Sequence, residues 1–562
     1  VKEVIRSMKS RRRRKKIIEN RIVKKILSVG FYIWIPIMIF LASIMFPLCT
    51  WYEKNIKVSL EAALFTLKSP MKGTNNVVVW DVVNAAIPGI IFAVVAIILL
   101  VVIETIIKIK SERNLIFIDT EERMKKIKKK FHTYVSTFTV IYLIASLFFA
   151  NDKIEIMAYV QKRMSTTKIY QEKYIDPEKV EITKNSKVDI VYNDERNMPD
   201  QCVQQASTKN LIYIYAESME NSYEKKSQGG IQREDFDLMK NLVNLAEENV
   251  SFSTNNKMRG IRNTTGTDYT FGSMFAATSG IPFKFPNMDN RVDKLKKFAQ
   301  HVTTLGDILE KEGYYQEFMC GSDATFAGKR RYYQEHGNYD IYDYKTAKQK
   351  GDISKKYKAG WGFEDEKLFQ YAKKELTRIS KKDKPFNFTM LTSDTHFPVG
   401  YRCHLCGYTY VDKFHAKSVQ DEKYAYGTTA DIIKCTDDQL EDFVEWCKKQ
   451  DFYNDTVIII QGDHPRMDKY LVEKATPEER TVYNCIINSD LKPQLGQKNR
   501  QGTIMDMFPT TLAALGFEIK GDRLGLGTNL FSNKKTIAEE MGFDSLDKEL
   551  SKYSSYYLQR FK

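Results

Sequence analysis

Three long apolar runs in the first 150 residues constrain this chain more than any other feature. They cover residues 26–49, 87–107 and 133–150. The first and third contain no charged residue, and the second has only Glu104, close to its end. A helix needs about 20 residues to cross a hydrocarbon core, so each run is long enough, or nearly so, to span a membrane. A buried core helix is the other reading, but charge-free runs of this length are rare in soluble domains. Three spans also do not fit a cleaved signal peptide.

The charge pattern gives the spans a direction. The net charge of the 562 residues is +15. Residues 1–25 carry twelve Lys/Arg against two acids, and residues 108–131 carry nine against four. Those two segments hold the whole excess, which argues against a nucleic-acid-binding surface elsewhere. Basic loops stay in the cytoplasm, so the expectation is that both segments are cytoplasmic and everything after Ala150 is outside. The chain opens on Val1, which leaves room for residues upstream; a further pair of spans would keep this orientation. The loop at 51–86 either lies on the outer membrane surface or merely joins two spans.

The rest divides by pattern. Residues 151–209 are polar and rich in Lys and Glu, as expected of a stalk with a helix near 153–175. From 210 to 532, strand-like runs at 211–216, 386–391, 457–460 and 483–487 alternate with helical stretches at 233–249, 301–312 and 437–450. That alternation predicts an α/β domain with a doubly wound, mostly parallel sheet. Residues 533–562 read as a solvated helical tail.

Within that domain, Val457 to Ile460 form an unbroken β-branched run, the pattern of a strand buried on both faces. Asp463 and His464 follow directly, where ligands bind beyond the carboxyl ends of parallel strands. They offer one hard oxygen and one imidazole nitrogen to a divalent cation. A polar turn is the other reading of an isolated Asp-His pair. A second strand, at 211–216, ends in the same way in Glu217.

Five segments occur in one order: YIYAESMENSY at 213–223, NTTGTDYTFGSMFAATSGIP at 263–282, GSDATFAGKR at 321–330, TSDTHFPVG at 392–400 and DTVIIIQGDHPRM at 455–467. Together they resemble the lipoteichoic acid synthase and membrane phosphoglycerol transferase family, on the alkaline phosphatase/sulfatase fold. The resemblance implies one divalent metal held by Glu217, Thr267, Asp463 and His464, with Thr267 as nucleophile. It places His396 beside the transferred phosphate as a proton carrier, and Lys329 and Arg330 as phosphodiester contacts. Where some relatives carry a histidine and a tryptophan before that basic pair, this chain has Cys320 and Phe326.

The chemistry is coherent in its own right. A threonine hydroxyl becomes a nucleophile when a metal lowers its pKa, and a helix starting at TFGSMFAATSG would favour a phosphate at its amino end. Thr265 and Thr270 are the rival nucleophiles, and turn or capping roles are open to all of these threonines. The mixed O/N donor set suits Mn²⁺ or Mg²⁺ and leaves Zn²⁺ open.

The implied activity is phosphoglycerol transfer from phosphatidylglycerol to a surface glycan or polyglycerolphosphate acceptor, by a membrane-anchored ectodomain. A phosphoethanolamine transferase or a hydrolase on the same fold is the alternative, and a non-catalytic binding protein a third. A sulfatase is disfavoured, because no CxPxR-type sequence is present. The CHLCG segment, with Cys403 and Cys406, reads either as a disulfide with Cys435 as an attractive partner or as a metal knuckle using His404 and His415.

Overall fold

The computed structural model describes residues 31–53, 60, 76–113, 118–184, 209–284, 298–397, 400–413, 422–468, 470–472, 475–476 and 479–561. The start of the first apolar run, the 61–75 part of the following loop, the 185–208 part of the expected stalk and His415 lie outside these residues. The chain forms two compact units, one holding the apolar helices up to Ala158 and the other running from Tyr159 to the C-terminus.

In the first unit, Phe31–Glu53, Trp80–Lys110 and Glu122–Ile154 are long and apolar enough to cross a membrane. Their surfaces leave Ile91, Phe92, Leu99, Phe138 and Phe148 exposed, the inverse of a water-soluble helix. Small residues let the helices approach. A Cβ on Gly89 would lie 2.4 Å from the Ser43 carbonyl oxygen, a contact only glycine permits.

The second unit is built on a six-stranded sheet. Its strands are β1 (Asn210–Ala216), β2 (Tyr315–Cys320), β3 (Asp340–Tyr342), β4 (Phe386–Leu391), β5 (Thr456–Gly462) and β6 (Asn484–Ile487). They lie in the order β3-β2-β4-β1-β5-β6. All neighbours are parallel except β5 and β6. The mostly parallel sheet expected from the sequence is therefore present, with an antiparallel edge formed by the run expected at 483–487.

Every residue of β4 and β5 is buried, because helices cover both faces. The alternation of strand side chains splits the core in two. Tyr213, Tyr215, Val457 and Ile459 enter one cluster, and Ile212, Ile214, Ile458 and Ile460 the other. Three helices supply or anchor the polar groups at the carboxyl ends of the strands: α1 (Thr270–Ser279), α2 (Asp365–Ile379) and α3 (Glu422–Lys448).

Two boundaries differ from expectation. Part of the segment read as a stalk belongs to this domain: Ile169 and Tyr170 are core residues, and Ile182–Lys184 pairs antiparallel with Phe517–Ile519. The tail is not a solvated appendage either. Ile537, Ala538, Leu546, Leu550 and Tyr557 are buried in the same core as the sheet. Few apolar residues at the right spacing sufficed to dock it, amid charges that face water.

Candidate active site

β1 and β5 run side by side in a register that pairs Ala216 with Gly462, so Glu217 and Asp463 leave the sheet together. Gly462 is required there: a Cβ would lie 2.0 Å from the Met219 carbonyl oxygen. The chain then turns sharply at Ser218, which adopts φ 57°, a left-handed conformation uncommon for a residue with a side chain. That turn aims the Ser218 amide at Asp463 Oδ1, 2.7 Å away, while its hydroxyl donates to Glu217 Oε1 at 2.7 Å.

Glu217, Asp463 and His464 are buried, and one donor atom from each lies within 4.8 Å of the others. His464 donates from Nδ1 to the Pro465 carbonyl at 2.9 Å, which fixes the tautomer and leaves Nε2 facing the carboxylates. Nε2 stands 3.4 Å from Asp463 Oδ2 and 3.6 Å from Glu217 Oε1. Asp463 Oδ2 is buried with no hydrogen-bond partner, a costly state for a carboxylate oxygen unless a cation meets it. Two oxygens and a nitrogen converging on an orphaned buried oxygen fit a divalent ion.

The electrostatics agree. Burial and the neighbouring Glu217 push the Asp463 carboxyl up to about 7, despite the opposing pull of His464. Burial alone would raise Glu217 too, but His396, His464 and the Ser218 hydroxyl hold it below its ordinary value. Burial would lower His464, and the two carboxylates reverse that. A cluster this acidic and this dry is short of positive charge.

The threonine that meets the cluster is Thr270, not Thr267. Thr270 begins α1, and its hydroxyl lies 3.2 Å from Glu217 Oε2 and 3.3 Å from His464 Nε2. The Thr267 hydroxyl is closed into its own turn, donating to the Thr264 carbonyl at 3.0 Å and accepting from the Thr264 amide at 2.8 Å. The Thr265 amide donates to Asp547 of the C-terminal segment at 2.6 Å. In sequence these threonines look alike. What separates them is the position at the start of a helix, legible in TFGSMFAATSG but not decisive there.

His396 follows β4 and is half-buried. Its Nδ1 donates to the Phe397 carbonyl at 2.7 Å, which leaves Nε2 as the acceptor. Burial lowers its pKa against the raising field of Glu217, which favours the neutral imidazole. The ring of Trp361 packs edge-on against it, centroids 4.5 Å apart, and also lies 5.8 Å from the Phe326 ring. Trp361 stands in no motif that would mark it in the sequence.

The loop carrying His396 is anchored from below. Asp365, in the first turn of α2, accepts the amides of Ser393 at 2.8 Å and Asp394 at 2.9 Å. Thr395 donates its hydroxyl to the Glu217 carbonyl, and fully buried Arg466 donates to the Thr395 carbonyl while pairing with Asp468 at 2.6 Å.

The basic pair divides. Lys329 is buried, and burial lowers its pKa against the raising fields of Cys320, Glu217, Asp323 and Asp463. Arg330 instead pairs with Asp343 at 2.5 Å, a carboxylate that also accepts the Ala324 amide at 2.9 Å. It holds the loop that presents Lys329.

Several known proteins are similar to this chain. The chain is 28% identical over 346 residues to phosphoglycerol transferase I of Xanthomonas campestris pv. campestris (strain B100), covering 60% of this chain and 45% of that protein. It is 30% identical over 327 residues to phosphoglycerol transferase I of Escherichia coli O157:H7 (strain EC4115 / EHEC), covering 58% of this chain and 39% of that protein. The match thus spans less than half the length of these relatives. The crystal structure of the lipoteichoic acid synthase LtaP from Listeria monocytogenes aligns at 18% identity and a TM-score of 0.44, over 57% of this chain and 75% of that one. Residues 209–517 match the Sulfatase family. That match takes in more than half of the chain, every strand of the central sheet and the whole acidic centre, and the chain belongs to the Sulfatase family.

Proposed function

We propose that this protein is a metal-dependent phosphoglycerol transferase that uses phosphatidylglycerol as donor and an extracytoplasmic glycan or polyglycerolphosphate hydroxyl as acceptor. The observation that carries the reading is the Thr270 hydroxyl, 3.2 Å from Glu217 Oε2 and 3.3 Å from His464 Nε2. The names of the curated relatives point to the same transfer.

Glu217, Asp463 and His464 would hold the divalent ion, with Thr270 completing the set in place of Thr267. When bound, the ion lowers the pKa of a hydroxyl and offsets charge on a phosphoryl oxygen. Thr270 sits on the first turn of α1, where backbone amides favour the negative charge of a phosphate. Lys329, on which the fields of Glu217 and Asp463 act, would add positive charge for the phosphodiester.

In the first half-reaction Thr270 Oγ1 bonds to phosphorus and the bond to the diacylglycerol oxygen breaks. The threonine proton ends on that leaving oxygen. In the second half the acceptor hydroxyl attacks phosphorus, the bond to Thr270 breaks, and the acceptor's proton returns to Thr270. His396, tied through Nδ1, presents Nε2 to carry the proton in both directions. Splitting the transfer lets the lipid leave before the acceptor enters, and predicts ping-pong kinetics.

The test is intact-protein mass after incubation with phosphatidylglycerol and no acceptor. A phosphoglycerol adduct is expected on the wild type and on Thr267→Ala, and none on Thr270→Ala. An adduct that survives Thr270→Ala moves the nucleophile elsewhere. No adduct alongside normal transfer favours direct displacement by the acceptor, and transfer from phosphatidylethanolamine alone overturns the donor.

A further inference from the structure

A second cluster of metal-ligating side chains lies outside the acidic centre. Cys403, Cys406 and Cys435 are all buried and form a small core of their own with Tyr401 packed against it. Cys406 and Cys435 are joined as a disulfide, which ties the loop after His396 to α3. The expected pairing with Cys435 is thus present, but it leaves a third sulfur unexplained. Cys403 Sγ lies 3.5 Å from Cys406 Sγ and 3.9 Å from Cys435 Sγ.

A polar donor and a tight turn hold the sulfurs in place. Gln439 Nε2 donates to the Cys435 sulfur at 3.4 Å. The C-x2-C turn closes with the Cys406 amide on the Cys403 carbonyl at 3.2 Å. The Gln439 donor favours sulfur that carries negative charge. Tetrahedral zinc with sulfur bonds of about 2.3 Å sets its ligand sulfurs about 3.8 Å apart. The two non-bonded separations bracket that spacing.

We propose that the reduced cluster is a tris-thiolate site for a thiophilic divalent cation, Zn²⁺ foremost, and that the Cys406–Cys435 disulfide is its oxidised, metal-free form. Opening the disulfide takes two electrons and two protons from a dithiol, which becomes a disulfide. Binding of the cation then releases the three thiol protons. His404 is turned away, its Nδ1 2.6 Å from Glu366, so water supplies the fourth ligand. The site differs in kind from the acidic centre: soft sulfur donors against hard oxygen and imidazole. Its occupancy would set whether the loop bearing His396 is held to α3 by a covalent bond or by a metal.

The experiment is a Co²⁺ titration of the full chain, reduced and then freed of reductant under anaerobic conditions. A sulfur-to-cobalt charge-transfer band is expected in the reduced wild type and equally in Asp463→Asn, which disables only the acidic centre. The band should vanish or weaken in Cys403→Ser, a variant that keeps the Cys406–Cys435 pair and with it the fold. No band in the reduced wild type overturns the proposal. So does an unchanged band and affinity in Cys403→Ser, which would make Cys403 a bystander to a structural disulfide.

Discussion

At the scale of single residues, two adjacent cations in FAGKRRYY have different duties. Ala327 and Gly328 both adopt left-handed backbone, φ 57° and 79°, and this turn swings Lys329 inward as the first residue of a helix. Its ammonium donates to the Phe326 carbonyl at 3.1 Å, and Glu217 and Asp463 are among the groups whose field acts on it. Arg330 is spent on Asp343. Lys329→Met should lower kcat/KM by roughly ten- to a hundredfold, the size of one lost hydrogen bond to a charged group. Arg330→Met should leave kcat/KM within a few-fold and lower the melting temperature instead. Steady-state kinetics with melting curves on both variants check this, and equal kinetic losses would mean that both residues touch the substrate.

At the scale of elements, the strands around the site were the legible part. β1 and β5 carry unbroken apolar runs, as strands buried on both faces commonly do, and β4 keeps four apolar residues around Asn387 and Thr389. β2 was not legible, and its sequence YQEFMC explains why. Gln316 and Glu317 are buried in mid-strand, which breaks the apolar pattern. Gln316 Nε2 donates to the carbonyls of Gly306 and Gly337, at 2.8 and 2.6 Å, and Glu317 Oε2 pairs with Arg378 of α2 at 2.7 Å. Partners so distant in sequence leave no local signal. The same holds for the site, where Glu217, Asp463 and His464 could be read as strand ends, but the choice among the threonines rests on a hydroxyl's direction in space.

Glu317 also makes that buried pairing testable. Burial and the nearby Glu375 carboxylate push its carboxyl from 4.5 up to about 7, against the pull of Arg378. The folded state therefore keeps this proton where the unfolded chain has released it. The resulting contribution to stability is fully present below about 4.5 and is lost as pH rises through about 7. Glu317→Gln removes the titration while keeping the shape. The melting temperature of the variant minus that of the wild type should thus climb between these two pH values and be flat above them. A difference that does not change with pH would mean that Glu317 is ionised throughout and fully offset by Arg378.

At the scale of the whole molecule, the question is on which side of the membrane the acidic centre works. Three helices are apolar and long enough to cross it, and the Lys/Arg excess sits before the first and between the second and third. An odd number of crossings from a cytoplasmic start would put the Sulfatase domain outside, where a lipid headgroup and a surface glycan can both reach Thr270. A simple labelling test needs the native cysteines to be silent, and the structure favours this. Cys49, Cys320, Cys403, Cys447 and Cys485 are buried, and Cys406 and Cys435 are bonded to each other. Cys202, outside the described residues, is replaced by serine in the test background. Lys179 has a side chain 81% exposed, so Lys179→Cys offers a single reactive thiol in the second unit. It should react with a membrane-impermeant maleimide on intact cells, to the same extent as after lysis. Labelling only after lysis would place the domain in the cytoplasm, where no surface acceptor exists, and the proposed transfer would fall with the orientation.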